Sequence, residues 1–418
     1  MTFDGSRSQG NLGLPNRTHE VSSAPGSSSD RAAPVDVAAA RADLPATWDQ
    51  AYLNTGTAGP LPQAAAQAMA RAAASELESG RVAIGGFRRL FERLDLIRDR
   101  LGAMVGADAD ELAFTHNTTE GMNIATWGLR WSAGDRVLTT NLEHAGGLLP
   151  LYQIHRRLGV EVDFADCGLG ERDRVLEALR RGLRSGPRLL VLSHVNYQTG
   201  AVMPLAEITA MAHAAGTLVL VDGAQSVGAI PVDMHALGVD FYAFPGQKWL
   251  LGPEGTGSLY VRGDLQAQLE STYLGGFASV HDGFSSQSVE FEFRPGARRY
   301  EVGSVYRPGV EGLLASLEWL EQRGDVFGAV AQLSSYCRQR VGELPGAEIL
   351  TPNEEVSGLV SFRIPGLDTA ACLDHLSASG IAIRSIPDNG ALRLSCGFYN
   401  TPAEIDRTFE AISDFSRA

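Results

Sequence analysis

Leu218-Val-Leu-Val-Asp222-Gly-Ala-Gln225 and Phe241-Tyr-Ala-Phe-Pro-Gly-Gln-Lys248 decide how this chain reads. Each begins with a short apolar run, Leu218–Val221 and Phe241–Phe244, and each run gives way to polar residues. Similar runs recur at Leu112–Thr115, Val137–Thr140, Val160–Phe164, Leu189–Ser193 and Ser258–Val261. Helical stretches such as Gly121–Leu129, Val175–Leu183 and Leu205–Ala215 lie between most of them. Near-continuous apolar strands joined by crossover helices predict an α/β fold, with a mostly parallel sheet covered on both faces. Open sheets of that kind bind ligands beyond the carboxyl ends of their strands, which is where Asp222 falls.

Working outward, 418 residues exceed one minimal domain and fit two unequal ones. Residues 1–44 combine Gly, Ser, Pro and Ala and read as a disordered tail. A large domain is expected over 45–310, of which 45–60 can pack on the smaller one. Inside it, Pro60 and Pro62 open an Ala-rich helix that stops at Gly80. A second helix, Phe87–Met104, carries apolar residues at helical period. After a helix at 311–322 the pattern changes. Gly358–Arg363, a helix at 368–379, Ile381–Arg384, Leu392–Cys396 and a helix at 402–416 predict a smaller α+β domain over 311–418.

Hydrophobic residues make up 44% and charged residues 20% of the chain, the balance of a chain that buries a sizeable core. The net charge of −14 argues against broad contact with nucleic acid or anionic membrane, which needs clustered Lys and Arg. No run reaches the roughly 18–20 apolar residues of a membrane span. The N-terminus also lacks a signal-peptide pattern, so a cytoplasmic location is expected. Cys167, Cys337, Cys372 and Cys396 form no C-x-x-C pair, which disfavours a zinc site or a disulfide framework.

Lys248 is the only lysine of the chain and lies 26 positions after Asp222. A primary amine is what forms a Schiff base with a carbonyl cofactor and afterwards shuttles a Cα proton. A carboxylate at a strand end is the kind of group that keeps a pyridine nitrogen protonated, making the ring an electron sink. Singly, Asp222 also reads as a turn cap and Lys248 as a solvated loop residue. A family resemblance joins them.

From about Tyr52 to its end the chain resembles the class V aminotransferase and cysteine-desulfurase-like family of fold-type I pyridoxal-phosphate (PLP) enzymes. Val221-Asp-Gly-Ala-Gln-Ser226 is similar to the family's D-x-A-Q segment, and Phe241–Lys248 to the segment ending in its Schiff-base lysine. The resemblance implies PLP carried on Lys248, with Asp222 on the pyridine nitrogen and Gln225 on the ring hydroxyl. It assigns Thr118 and Thr119 to the cofactor phosphate, at a helix start whose dipole favours an anion; an ordinary N-cap is compatible with this. His144, in Leu142-Glu-His144, resembles the histidine that stacks on the ring. Asn196 and Tyr197 occupy the loop of a further ring contact, with the choice between them open. Ser304, in Arg299-Tyr-Glu-Val-Gly-Ser304, resembles a residue that reaches a neighbour's phosphate, implying a homodimer with shared active sites. Pro245 stands for a usual hydroxyl residue and Gln247 for a usual histidine, so part of the phosphate cradle differs.

On the substrate side, Arg393 in Ala391-Leu-Arg-Leu-Ser395 resembles the arginine that grips the substrate carboxylate, a task suited to a planar guanidinium. Arg384, nine positions earlier, is either a second carboxylate clamp or a surface ion pair. Cysteine desulfurases need a nucleophilic Cys between these arginines, and Ser385-Ile-Pro-Asp-Asn-Gly-Ala391 has none. Three residues beyond Arg393 on a strand, Cys396 faces the other way, and Cys372 sits in a helix as a small hydrophobe. The short loop and Gly246-Gln-Lys-Trp-Leu-Leu-Gly-Pro253 look more like the cyst(e)ine C–S lyases and isopenicillin-N-epimerase-like members. The expectation is a PLP-dependent lyase in which Lys248 removes the Cα proton of cystine or a cysteine conjugate and a β-thiolate leaves. An aminotransferase, an epimerase and a cysteine desulfurase are the alternatives. A non-catalytic PLP-binding regulator would instead keep its function in Lys248→Ala. The chain has no G-x-x-x-x-G-K-[ST], G-x-S-x-G or H-E-x-x-H pattern, and no metal is expected.

Overall fold

All seven apolar runs form strands of one sheet, with every end within one residue of that expected. In spatial order these are Leu112–Thr115, Gly257–Val261, Phe241–Pro245, Leu218–Asp222, Leu189–Ser193, Arg136–Thr140 and Glu161–Ala165. Every neighbouring pair is parallel except the two that involve Gly257–Val261. The computed structural model describes residues 33–81, 85–284 and 287–417.

Alternation along the strands divides the apolar side chains between two cores. Leu190, Leu192, Val219, Val221, Tyr242 and Phe244 enter one, and Leu189, Val191, Leu220, Phe241 and Ala243 the other. Both faces are therefore buried, and each fully buried aliphatic side chain contributes about 1.5–3 kcal/mol. Gln63–Ser79 and Gly86–Val105 are the two expected early helices, closed by Gly80 and by Gly106 in the left-handed conformation.

A third core lies under a four-stranded antiparallel sheet in the order Glu348–Ile349, Leu359–Arg363, Ala391–Ser395, Arg384–Ile386. Helices Val326–Glu343, Thr369–Ala378 and Pro402–Arg417 pack on it through Cys337, Val341, Leu376, Ile405 and Phe409. Strand Ala51–Tyr52 pairs in parallel with Ile381–Ala382, and Ala51 and Leu53 join this core. Residues 51–53 thus join the later module.

Two boundaries differ from the sequence reading. Part of the expected tail is ordered: Val37–Ala42 is a helix capped by Asp36, and Ala40 and Leu44 are buried in the first core. Alanine is helix-favouring, and the Pro, Gly and Ser around this segment masked it. Residues 1–32 lie outside the described residues. The change of module also falls after 311. Helix Arg307–Leu320 buries Val310, Leu313, Leu314 and Leu317 in the first core, and its Ser316 Oγ donates to Leu250 O at 2.7 Å. Among the described residues, no helix is long and apolar enough to cross a membrane.

Candidate active site

The carboxyl ends of five strands converge on one cavity of about 250 Å³. Each end delivers polar groups: Asn117, Thr118 and Thr119 after Thr115, His144 after Thr140, Ser193 and Tyr197, then Asp222 and Gln225, then Gln247 and Lys248. The turn Gly56–Thr57 and the arginines Arg384 and Arg393 close it from the second module. This is the expected location for a ligand site in a mostly parallel sheet.

Asp222 is 6% exposed and ends the central strand, in register with Ser193 on one side and Ala243 on the other. Its Oδ1 accepts the Ala224 N–H at 2.9 Å, which fixes the carboxylate. Burial pulls the pKa of Lys248 down from 10.5 to about 8; the Asp222 charge opposes this, and Arg393 and Arg384 add to it. A lysine held so low carries far more free amine near neutral pH than a solvated one.

Arg393 is 1% exposed because strand Ala391–Ser395 sends Leu392 and Leu394 into the core and its alternate side chain toward the cavity. Its Nη1 donates to Tyr197 O at 2.8 Å and its Nη2 to Thr57 Oγ1 at 3.4 Å, while Nε has no partner. The exposed Arg384 donates to the same hydroxyl at 3.4 Å. Burial, then the Arg384 charge, lower the Arg393 pKa to about 9, so it stays a cation at neutral pH. Among the described residues no carboxylate pairs with either guanidinium. Buried cations are normally paired, and Arg393 faces a cavity instead.

Thr118 and Thr119 start helix Thr118–Gly128, whose cap is Asn117 through its side chain and the Glu120 N–H. Sequence reading missed Asn117 as that cap. His144 caps the next helix, Ala145–Leu158, with Nδ1 accepting the Gly146 N–H at 3.1 Å. That bond leaves the ring proton on Nε2 in the neutral form. Burial lowers the His144 pKa, and its ring meets Tyr197 edge-on with centroids 5.0 Å apart.

Several expected residues sit differently. Gln225 lines the cavity, but its Nε2 donates to Gly56 O at 2.7 Å and its Oε1 accepts the Trp249 indole N–H at 2.9 Å. Asn196 turns away: its Oδ1 accepts the N–H groups of Gln198 and Thr199, and its Nδ2 donates to Leu142 O. In that loop Tyr197 lines the cavity, while Asn196 holds the turn. Ser304 lies in a separate cavity with Tyr273, Glu120 and Glu301. Gln247 lines the site with a buried Oε1 that has no partner. Gly56 and Thr57, which also line the cavity, were missed. None of the four buried cysteines lines the cavity.

The sequence pattern of the family described as aminotransferase class V matches residues 52–408. A protein of Methanothermobacter thermautotrophicus described as a probable cysteine desulfurase is 32% identical over 399 residues, covering 90% of this chain and 97% of that one. A complex of the cystine C–S lyase C-DES with its reaction product cysteine persulfide superposes with a TM-score of 0.84 at 30% identity, covering 89% of this chain and 99% of that one. A C-DES variant with glycine covalently linked to its PLP cofactor gives 0.85 at 31% identity, over 90% and 99%. With the matched span running through the strand ends that build the cavity, this chain is an enzyme that belongs to the class V aminotransferase family.

Proposed function

We propose that the chain is a PLP-dependent enzyme that removes the Cα proton of an α-amino acid, with C–S β-elimination from cystine or a cysteine conjugate as its reaction. The observation that carries this reading is Arg393, a buried guanidinium with no carboxylate partner among the described residues, in the same cavity as Lys248 and Asp222. The similarity to a cystine C–S lyase supports the elimination. The similarity to cysteine desulfurases keeps persulfide formation as the second reading.

The residues fit the cofactor. Asp222 is placed to hold a protonated ring nitrogen. The N-terminus of helix Thr118–Gly128 offers N–H groups and hydroxyls to a phosphate. Gln247 brings an unpartnered buried oxygen with an amide beside it. When bound, PLP supplies the electron sink that stabilises a deprotonated Cα. Lys248, its pKa lowered by burial, takes that proton; Arg393 holds the α-carboxylate, and Arg384 is placed for a second acid group. His144, neutral and fixed by its cap, covers one side of the site. A homodimer completes the proposal, with Ser304 serving the cavity of the second copy, and the setting is the cytoplasm.

Product analysis separates the reactions. With cystine or a cysteine conjugate and no keto acid, the lyase releases pyruvate, ammonia and a sulfur product. Stoichiometric transfer of the amino group to a keto acid would make it an aminotransferase. A change confined to Cα stereochemistry would make it an epimerase, and alanine with a protein persulfide a desulfurase.

A further inference from the structure

Behind the cavity lies a carboxyl group for which the proposed chemistry has no use. Glu143 directly precedes His144 and is buried, 5% exposed. Its Oε2 accepts the Ser193 hydroxyl at 2.5 Å and its Oε1 the Thr140 hydroxyl at 2.5 Å. Thr140 is held in turn by the Leu142 N–H, which donates to its Oγ1 at 3.1 Å. Ser193 lines the cavity and is the strand neighbour of Asp222. One hydroxyl therefore separates a second carboxyl from the cavity wall at the Asp222 end. No cation balances it among the described residues.

We propose that Glu143 is a positioning residue for the cofactor end of the site: it fixes the Ser193 hydroxyl and, when ionised, puts a second negative charge behind Asp222. A charge there favours the protonated form of the groups that face Asp222, Lys248 Nζ among them. The titratable groups that act with Glu143 are few. Asp222, from strand Leu218–Asp222, repels its charge; Cys167, after strand Glu161–Ala165, is held by burial at about 12 and stays a neutral thiol. His144 is its chain neighbour. Burial first, then the Asp222 charge against the hydroxyl bonds, leaves the Glu143 pKa raised to about 7, so it changes charge within the working range. Titrations of such neighbouring groups are coupled.

The inference rests on the PLP reading, and its test separates the two. The visible absorbance of the PLP-loaded enzyme is titrated with pH in the wild type, Glu143→Gln and Thr140→Val. Glu143→Gln removes the charge while its amide can still meet both hydroxyls, which rotate. The midpoint then falls by about one pH unit. Thr140→Val keeps the carboxyl but takes away one donor, so Glu143 holds its proton to higher pH and the midpoint falls by less. This second variant carries the test if the first does not fold. Superimposable titrations of a normal visible band overturn the inference alone. A wild type without the band overturns the PLP reading and this inference with it.

Discussion

Lys248→Met should stabilise the cofactor-free protein, and the size of the gain follows from burial. Lys248 is pressed from 10.5 to about 8 chiefly by loss of solvent. In the window between those values the unfolded chain binds a proton that the folded chain has released, so wild-type stability rises with pH across it. Below about 8 the folded protein carries the full cost of a desolvated ammonium. At about 1.4 kcal/mol for each pH unit of the window, that cost is about 3 kcal/mol. Met matches the length of the side chain without the charge. Urea unfolding of both apoproteins at pH 7 should show the variant more stable by about 3 kcal/mol, with unchanged m-values. The advantage should shrink by about that amount as pH rises from 8 to 10.5. Equal stabilities at pH 7, or a gain that does not change with pH, would refute a buried lysine whose desolvation outweighs the Asp222 charge. The gain would also mark Lys248 as a group kept for function at a cost in stability.

Two further perturbations probe the walls of the site. Arg393→Met should lower kcat/KM for the amino-acid substrate by about a hundredfold or more, since losing one partner of a buried charged contact costs about 2–5 kcal/mol. Arg393→Lys should restore little, because an ammonium cannot reproduce the fork; steady-state kinetics that stay within about threefold of wild type would exclude Arg393 as the carboxylate anchor. Gly59→Ala places a Cβ 2.2 Å from Lys248 O and 2.3 Å from Leu251 Cδ2. Overpacking against backbone costs about 1–3 kcal/mol, and equilibrium dialysis should show PLP binding weakened about tenfold.

The central sheet was legible because its strands are buried on both faces and so read as unbroken apolar runs. Asp222 and Lys248 were legible for a related reason, as each follows such a run. Helix Ala145–Leu158 carried a weaker signal: Gly146, Gly147 and Pro150 lie inside it, residues that disfavour helix taken alone. Its cap is His144, a residue read for the cofactor and not for the backbone. Contacts between distant segments were hidden altogether. Thr57 meets Arg393 across the two modules, and Gln225 is engaged by Gly56 and Trp249. Sequence spacing carries no record of such pairs. Asn196 and Tyr197 are adjacent, and only the turn geometry, with Asn196 bonded to the backbone of Gln198 and Thr199, assigns one to the loop and the other to the cavity.

The central claim concerns one amine in a chain with a single lysine, which makes it directly measurable. The protein is incubated with PLP, reduced with borohydride and digested, and the peptides are weighed by mass spectrometry. The account predicts a reduced pyridoxyl adduct on the peptide that contains Lys248, near one per chain, and its loss in Lys248→Ala. No adduct, or one confined to the N-terminal amine, would contradict it.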